Sequence, residues 1–480
     1  MRGTITERIN EFFVPAVDAL EKVIFWDIAG ALGFDLPFTV PLVVVWLIVG
    51  GLYFTIQFRF INIRGFSHAL QLVRGKYDKP GDKGEVSHFK ALTTALSATV
   101  GLGNIAGVAI AVAAGGPGAT FWMIMAGFMG MSLKFAECTL GLKYRHISRQ
   151  GIVAGGPMYY LEEGLRKKKM KYMGKVLAVI YAVLIILASF GGGNMFQSNQ
   201  AFAQLSNVAP AIADYGILIG VLLAILVGLV IIGGLKSIAR VTSRIVPFMA
   251  GFYVIVALVI IGLNYDRILD VFGLIIREAF TWHAAEGGFL GVMIMGFRRG
   301  AFSNEAGIGS ASIAHAAAKT NIPIKEGLVA LLEPFVDTVV ICTMTALVII
   351  FTGVYITEPG LEGAPLTSAA FATVFGWFPY LLVIAILLFA FSTMISWSYY
   401  GQNGFLFLSG KFFRNTKIPT FTYQVLFLLF VILGAATDLG DVISFSDMMI
   451  LGLAFPNLLG LIFFTTEIKK DLKDYLSKKK

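Results

Sequence analysis

Apolar residues run in blocks of about 20 along most of this chain, the length that crosses the ~30 Å hydrocarbon core of a bilayer. Eleven blocks stand out, at 38–58, 89–114, 118–142, 176–203, 214–233, 245–263, 288–314, 326–353, 379–402, 419–436 and 443–465. The stretches between them are mostly short and polar. Segments 1–36 and 264–287 mix apolar and charged positions in the manner of helices lying on a membrane. The pattern predicts an all-α polytopic membrane protein with 11 transmembrane helices. Strand-like alternation with turn signals is absent, which argues against an outer-membrane barrel.

Composition agrees with that pattern. Of 480 residues, 57% are hydrophobic and 14% charged, against roughly 25% charged in an ordinary soluble protein. The first 36 residues lack the basic start and short apolar core of a cleavable signal. Both cysteines, Cys138 and Cys342, fall inside apolar blocks and read as small core residues, with no disulfide framework or metal set implied.

Charge adds orientation. Loops 59–88, 143–175, 234–244, 315–325, 403–418 and 466–480, with Lys90, carry 30 of the 38 Lys and Arg. The opposite set, with the N-terminus, carries 5: Arg2, Arg8, Lys22, Arg267 and Arg277. The positive-inside rule then puts the N-terminus outside and the C-terminus in the cytoplasm of a multi-pass cell (inner) membrane protein. The net charge of +9 is thereby a topology signal and needs no nucleic-acid partner. The run Arg166-Lys167-Lys168-Lys169 reads as a solvated loop near anionic membrane lipid.

Two blocks contain sequence ill suited to a continuous helix: Ser97-Ala98-Thr99-Val100-Gly101-Leu102-Gly103-Asn104 in span 2, and Phe302-Ser303-Asn304-Glu305-Ala306-Gly307-Ile308-Gly309-Ser310 in span 7. Each combines two closely spaced glycines with hydroxyl and amide side chains. A glycine weakens a helix by ~1 kcal/mol relative to alanine, and freed backbone at this depth is tolerated only where it is buried in protein or lines a cavity. One such segment alone fits close packing through small residues equally well. Two of them, in oppositely directed spans five apart, point to an inverted-repeat transporter with its site at the breaks. Half-helix N-termini suit a carboxylate, and unwound carbonyls with nearby hydroxyls suit a small cation. The match of Gly101-Leu102-Gly103-Asn104-Ile105-Ala106 to a dinucleotide-binding pattern is set aside, since that pattern needs a preceding strand and a βαβ unit.

The runs Ser97–Gly107 (SATVGLGNIAG), Gly300–Ser312 (GAFSNEAGIGSAS) and Gly155–Gly164 (GGPMYYLEEG) resemble the alanine/glycine:cation symporter family, over about residues 38–465. The resemblance implies a LeuT-type five-plus-five inverted repeat preceded by one extra helix. The organisation is then an amphipathic N-terminal segment (1–36), the extra helix with a basic loop (37–88), a first half (89–263), an external linker (264–287), a second half (288–465) and a basic tail (466–480).

The resemblance also implies a site. The Gly103 amide would meet a substrate carboxylate, and Gly101, Gly103, Asn104, Asn194, Gln197, Phe302 and Ser303 are the substrate-binding candidates. The carbonyls of Ser97, Val100 and Phe389 and the hydroxyls of Ser392 and Thr393 would hold sodium, although those hydroxyls also suit back-bonding to the preceding turn. A candidate second cation site uses Thr99, Asn104, Ser303 and Asp337. Glu305 stands where those relatives carry a small hydroxyl residue, so the resemblance does not fix the number of sodium ions. No cofactor is implied beyond Na+ as coupling ion.

Other intramembrane polar groups call for partners. Asn194 and Gln197 share a helix face and point either to substrate or to neighbouring helices, with Phe302 and Phe190 as apolar walls. Arg298 and Arg299 approach the second break, and Asp337 would ligate a cation or pair with an arginine. Lys134 and Glu137, three apart, are expected to pair. The histidines 68, 88, 146, 283 and 315 sit in loops or at span ends. With no HExxH motif or Cys cluster either, a membrane enzyme is disfavoured. A channel would favour filter segments repeated between subunits. The sequence therefore predicts a sodium-coupled symporter of small neutral amino acids such as alanine and glycine, with proton coupling or a broader neutral range as the alternative.

Overall fold

The chain is described by a computed structural model over residues 20–34, 36, 38–148, 151–281, 288–374, 376–410 and 416–478. Among the described residues, seven helices are long and apolar enough to cross a membrane: Gly118–Lys143, Lys171–Val208, Gly234–Leu263, Pro323–Thr352, Phe378–Ser409, Lys417–Ala435 and Leu439–Ser477. His88–Thr99 and Gly103–Gly115, bent by 51°, make an eighth if taken as one span. The expected spans 1 and 5 fall on the shorter apolar helices Leu42–Gln57 and Gly216–Ile231, and span 7 on Gly288–Asn304 followed by Ala311–His315. The multi-pass helical class is as the sequence predicts. Length and composition by themselves account for seven or eight of the eleven expected crossings.

Gly118–Lys143 is the central scaffold. It packs against Gly288–Asn304, Ala311–His315, Pro323–Ala330 and the extra first helix Leu42–Gln57. Small residues let the backbones close in. A Cβ on Gly130 would lie 2.8 Å from the Cβ of Ala306, and one on Gly127 2.9 Å from the Cβ of Thr338. The scaffold thereby touches both the second break and the helix behind it.

Three elements differ from the expectation, and a fourth follows it. Span 4 is also broken: Lys171–Phe190 and Phe196–Val208 are joined by a π-helical turn, Gly191–Met195, at the glycine run. The expected loop 234–244 is helical, because the sixth span runs through it as one helix, Gly234–Leu263. A ten-residue helix, Gly363–Ala372, occupies the expected loop after span 8. The amphipathic segment 264–287 forms the helix Ile268–Ala279, which docks on the scaffold, where Trp122 Nε1 donates to the Ala279 carbonyl at 3.0 Å. Residues 282–287, and 1–19 of the N-terminal segment, lie outside the described residues.

The two ends of the bundle are unlike. At the end carrying the basic loops, the Arg145 guanidinium donates to the carbonyls of Lys83, Ala316, Ala318 and Thr320 at 2.6–2.8 Å, tying three loops together. The Glu85 N–H donates to the Ala317 carbonyl at 2.8 Å beside it. At the other end a cleft of about 710 Å³ lies among residues 199–217, 360–365 and 435–439.

Candidate substrate and cation site

The first break is a true interruption. His88–Thr99 ends at Val100, whose ψ of 80° leaves the helical region, and a π-helical turn, Gly103–Gly107, restarts the span. Side chains take up two of the freed amides: Gly101 N–H donates to Asn104 Oδ1 at 2.9 Å and Leu102 N–H to Gln197 Oε1 at 3.1 Å. Among the described residues the Gly103 N–H meets no acceptor and the Val100 carbonyl no donor. A buried donor and acceptor left open at one turn are what a ligand with both kinds of group can use.

The second break follows the same rule with different residues. Gly288–Asn304 ends at Glu305, a non-glycine residue at φ 56°, and Gly307 and Gly309 follow at φ 91° and 83°. Glu305 accepts from Trp397 Nε1 at 2.8 Å and from the Ser310 hydroxyl. Asn457 donates to the Gly307 carbonyl and Tyr181 to the Ile308 carbonyl, at 2.8 and 2.9 Å. This break is therefore closed by protein groups. The segment Gly155–Gly164, helical from Pro157 on, packs against it: a Cβ on Gly156 would lie 2.5 Å from Ile313 Cγ1, and Tyr160 donates to Asn457.

Asp337 joins the two breaks. Its carboxylate accepts from Asn104 Nδ2 at 2.6 Å, Ser303 Oγ at 2.9 Å and Thr338 Oγ1 at 2.7 Å. All four residues are buried, and no cationic side chain reaches the Asp337 carboxylate among the described residues. Three of the four second-site candidates thus converge. Thr99 does not: its hydroxyl bonds back to Ala95 and Leu96 of its own helix. The expected arginine partners of Asp337 go elsewhere, because Arg298 and Arg299 both pair with Asp447, with Arg298 Nε at 2.9 Å.

The sodium candidates meet on the other side of the first break. Thr393 Oγ1 donates to the Ser97 carbonyl at 3.0 Å, and Ser97 Oγ to the Ser392 carbonyl at 2.6 Å. Ser392 Oγ bonds back to the Phe389 carbonyl at 3.0 Å. Back-bonding thus holds for Ser392, whereas Thr393 crosses between helices. Val100, fully buried, brings its open carbonyl to the same turn.

Phe302 closes the remaining wall. Its ring meets Phe196 edge-on at 5.4 Å, and Arg299 lies over it at 5.5 Å. A Cβ on Gly103 would stand 3.7 Å from Phe302 and 3.5 Å from the Ser303 backbone, an ordinary contact. A Cβ on Gly101 would overlap Thr393 Oγ1, so the steric need for glycine lies at 101. Gln197 bridges breaks, with Nε2 on the Gly192 carbonyl at 2.8 Å, and Asn194 turns its amide to the Phe427 carbonyl at 2.6 Å. Asn194 Oδ1 is buried without a donor among the described residues. Phe190 stacks on Phe430 at 4.4 Å, away from Phe302.

On the cleft side the site is roofed by Gly363–Ala372. Thr367 Oγ1 donates to the Ile105 carbonyl at 3.1 Å, and the Ala364 N–H to Gln200 Oε1 at 3.0 Å. This roof has no signal in an apolar-block pattern, because ten residues with Pro365, Thr367 and Ser368 look like a loop. The charge chemistry nearer the basic end was also hidden. Lys134 pairs with Glu333 at 3.0 Å in place of Glu137, which accepts from Asn457 at 2.8 Å. His88 and His315 stand at span ends, as expected, and both are buried.

Comparison with known proteins bears on the fold and the family. A solved structure of MhsT in complex with L-phenylalanine matches with a TM-score of 0.53, covering 81% of this chain and 100% of that one. At 14% identity it speaks for the LeuT-type fold alone. The sodium/alanine symporter AgcS of Methanococcus maripaludis is 41% identical over 443 residues, 91% of this chain and 94% of that protein. The probable sodium/glutamine symporter GlnT of Bacillus subtilis is 37% identical over 443 residues, 92% of this chain and 88% of that protein. The profile of the sodium:alanine symporter family matches residues 33–480. With matches of that length and identity, the chain belongs to the sodium:alanine symporter family, whose members are amino-acid transporters and not enzymes.

Proposed function

We propose that this chain is a sodium-coupled symporter that imports small neutral amino acids, alanine and glycine first, by alternating access. The observation that carries the reading is the first break. Its open Gly103 N–H lies beside Ser303 and Phe302, and its Ser97–Thr393–Ser392 oxygen cluster lies on the opposite side. An amino-acid carboxylate would take the amide, and Na+ would exchange the hydroxyl–carbonyl bonds for ion–oxygen contacts. Asn104, Ser303 and Asp337 would hold a second cation, with the Asp337 charge as its counterweight. Phe302 would bound the side-chain space, which favours a methyl or hydrogen over larger groups.

A cleft at one end and Arg145-tied loops at the other fit the outward-facing half of such a cycle. With the basic loops in the cytoplasm of the cell (inner) membrane, the cleft opens outside, as does the N-terminus. The name of the GlnT relative favours a second reading, in which a larger amide substrate is accepted. The deciding experiment is uptake of labelled alanine into proteoliposomes under Na+, K+ or H+ gradients, with glycine, glutamine and leucine as competitors. Uptake driven equally by K+ or H+ removes the sodium reading, and equal displacement by leucine removes the small pocket.

A further inference from the structure

A chain of ionisable side chains runs from the basic-loop surface into the protein, apart from the site above. Asp78, on the surface, lies 3.8 Å from His88 Nε2. His88 Nδ1 contacts Glu326 Oε2. Glu326 Oε1 lies 2.5 Å from His315 Nδ1, and His315 Nε2 contacts Glu333 Oε1. Glu333 Oε2 ends the chain 3.0 Å from Lys134 Nζ. Glu326, His315, Glu333 and Lys134 are completely buried, and His88 is 2% exposed.

Two arguments load one proton onto this chain. The first is donor counting. Both nitrogens of His315 face carboxylate oxygens. A neutral imidazole has one N–H to give, and an imidazolium has two. The second is charge. Two glutamates and one ammonium leave one negative charge if both imidazoles are neutral, and an unpaired buried charge is costly. One imidazolium cancels it.

The placement of the chain links it to movement. His88 opens the inner half of the first broken span, and His315 closes the inner half of the second. Glu326 and Glu333 stand on the stretch Pro323–Pro334, and Lys134 on the scaffold. Cys138 also faces His315 and Glu333, with ligand atoms within 4.8 Å. Lys325 acts on His88, Arg145 on Glu326, and Glu137 and Glu305 on Lys134.

We propose that His315 is a proton-binding site that locks the basic-loop end, that each opening of that end releases its proton to cytoplasmic water past His88 and Asp78, and that each closing takes one back by the same route. Separation of the inner halves takes the His315 imidazolium from its two carboxylates, whose hydrogen bonds favour the charged form. Glu333 retains Lys134. Proton binding therefore favours the closed state, and opening favours loss. The idea rests on the transport reading above.

The test uses proteoliposomes with a fixed Na+ gradient, fixed external pH and internal pH varied from about 6 to about 8.5, the range in which histidine switches. Initial alanine uptake is expected to rise severalfold with internal pH in the wild type and to lose that dependence in His315→Gln. Sodium-driven uptake that is flat across internal pH, or a His315→Gln profile like that of the wild type, overturns the proposal while leaving the transport reading intact. Absence of sodium-driven uptake at every pH overturns the transport reading instead. If His315→Gln is not inserted, the wild-type profile decides alone: sodium-driven uptake that is flat across internal pH overturns the proposal.

Discussion

Removing the Thr393 hydroxyl tests the cation site with least disturbance elsewhere. In Thr393→Ala the bond to the Ser97 carbonyl at 3.0 Å disappears, and that carbonyl is left on the turn next to Val100. For the protein without an ion the loss is that of one neutral hydrogen bond, about 0.5–1.5 kcal/mol net. Such a loss leaves a chain of this size folded. For the ion-bound protein an oxygen is withdrawn from a charge, and contacts of polar groups with charges run at about 1.5–3 kcal/mol. Binding loses the difference, about 1–1.5 kcal/mol, so at 1.4 kcal/mol per factor of ten the Na+ needed for half-maximal uptake should rise roughly five- to twelvefold. Thr393→Ser keeps the hydroxyl and should stay near the wild type. The assay is initial alanine uptake against external Na+ in proteoliposomes holding equal amounts of each protein. If Thr393→Ala and Thr393→Ser both match the wild-type Na+ dependence, Thr393 has no part in the cation site. A fall in maximal rate without a change in Na+ dependence would assign it to packing.

Gly101→Ala should abolish uptake, because its Cβ overlaps Thr393 Oγ1, whereas Gly103→Ala should remain folded and lose alanine affinity while tolerating glycine better. Competition by glycine and alanine in each variant reads the difference. Asp337→Asn should leave the hydrogen-bonded cluster with Asn104 and Ser303 in place yet lower the Hill coefficient for Na+ towards about one, if its charge balances a second ion. Lys134→Met should cost about 3–5 kcal/mol by leaving the buried Glu333 short of a partner, seen as a lower unfolding temperature in detergent. A cysteine at Lys79 should react with an impermeant reagent only after the cytoplasmic side is exposed, and labelling in intact cells overturns the orientation.

Local composition exposes a helix break but conceals what holds it. The breaks at 100–103 and 305–310 are legible because each gathers glycines and hydrogen-bonding side chains inside an otherwise apolar block. The break at Gly191–Met195 carries a comparable glycine run followed by Asn194 and Gln197, so its signal is also present in the sequence, although the apolar block around it reads as one continuous span. Its glycines have another cause: a Cβ on Gly193 would overlap Trp397, and one on Gly192 would overlap Ile450. Partners are less legible still. Helical spacing pairs Lys134 with Glu137, but the scaffold turns Lys134 towards Glu333 and Glu137 towards Asn457, which are distant in sequence. Spacing reports which residues share a face. It says nothing of what the facing helix brings.

The same limit applies at the centre, where it has a functional consequence. Asn104 and Ser303 come from oppositely directed spans, and each alone reads as a polar residue seeking a neighbour. Asp337 gives both of them one acceptor, so displacement of either half-helix disturbs a bond made by the other. Thr393 and Ser97 tie the opposite side of the first break to Phe378–Ser409 in the same way. The substrate candidates thus lie between two polar seams, both built from bonds that a cation can replace. Ion binding at either seam would change how firmly the two broken spans are held to their neighbours. Coupling would then follow from shared acceptors, without a separate relay between ion and substrate. The Thr393 and Asp337 variants cut one seam each. A double variant whose loss of Na+ affinity exceeds the sum of the two, in free-energy terms, would show that the seams act together, and strict additivity would show two independent sites.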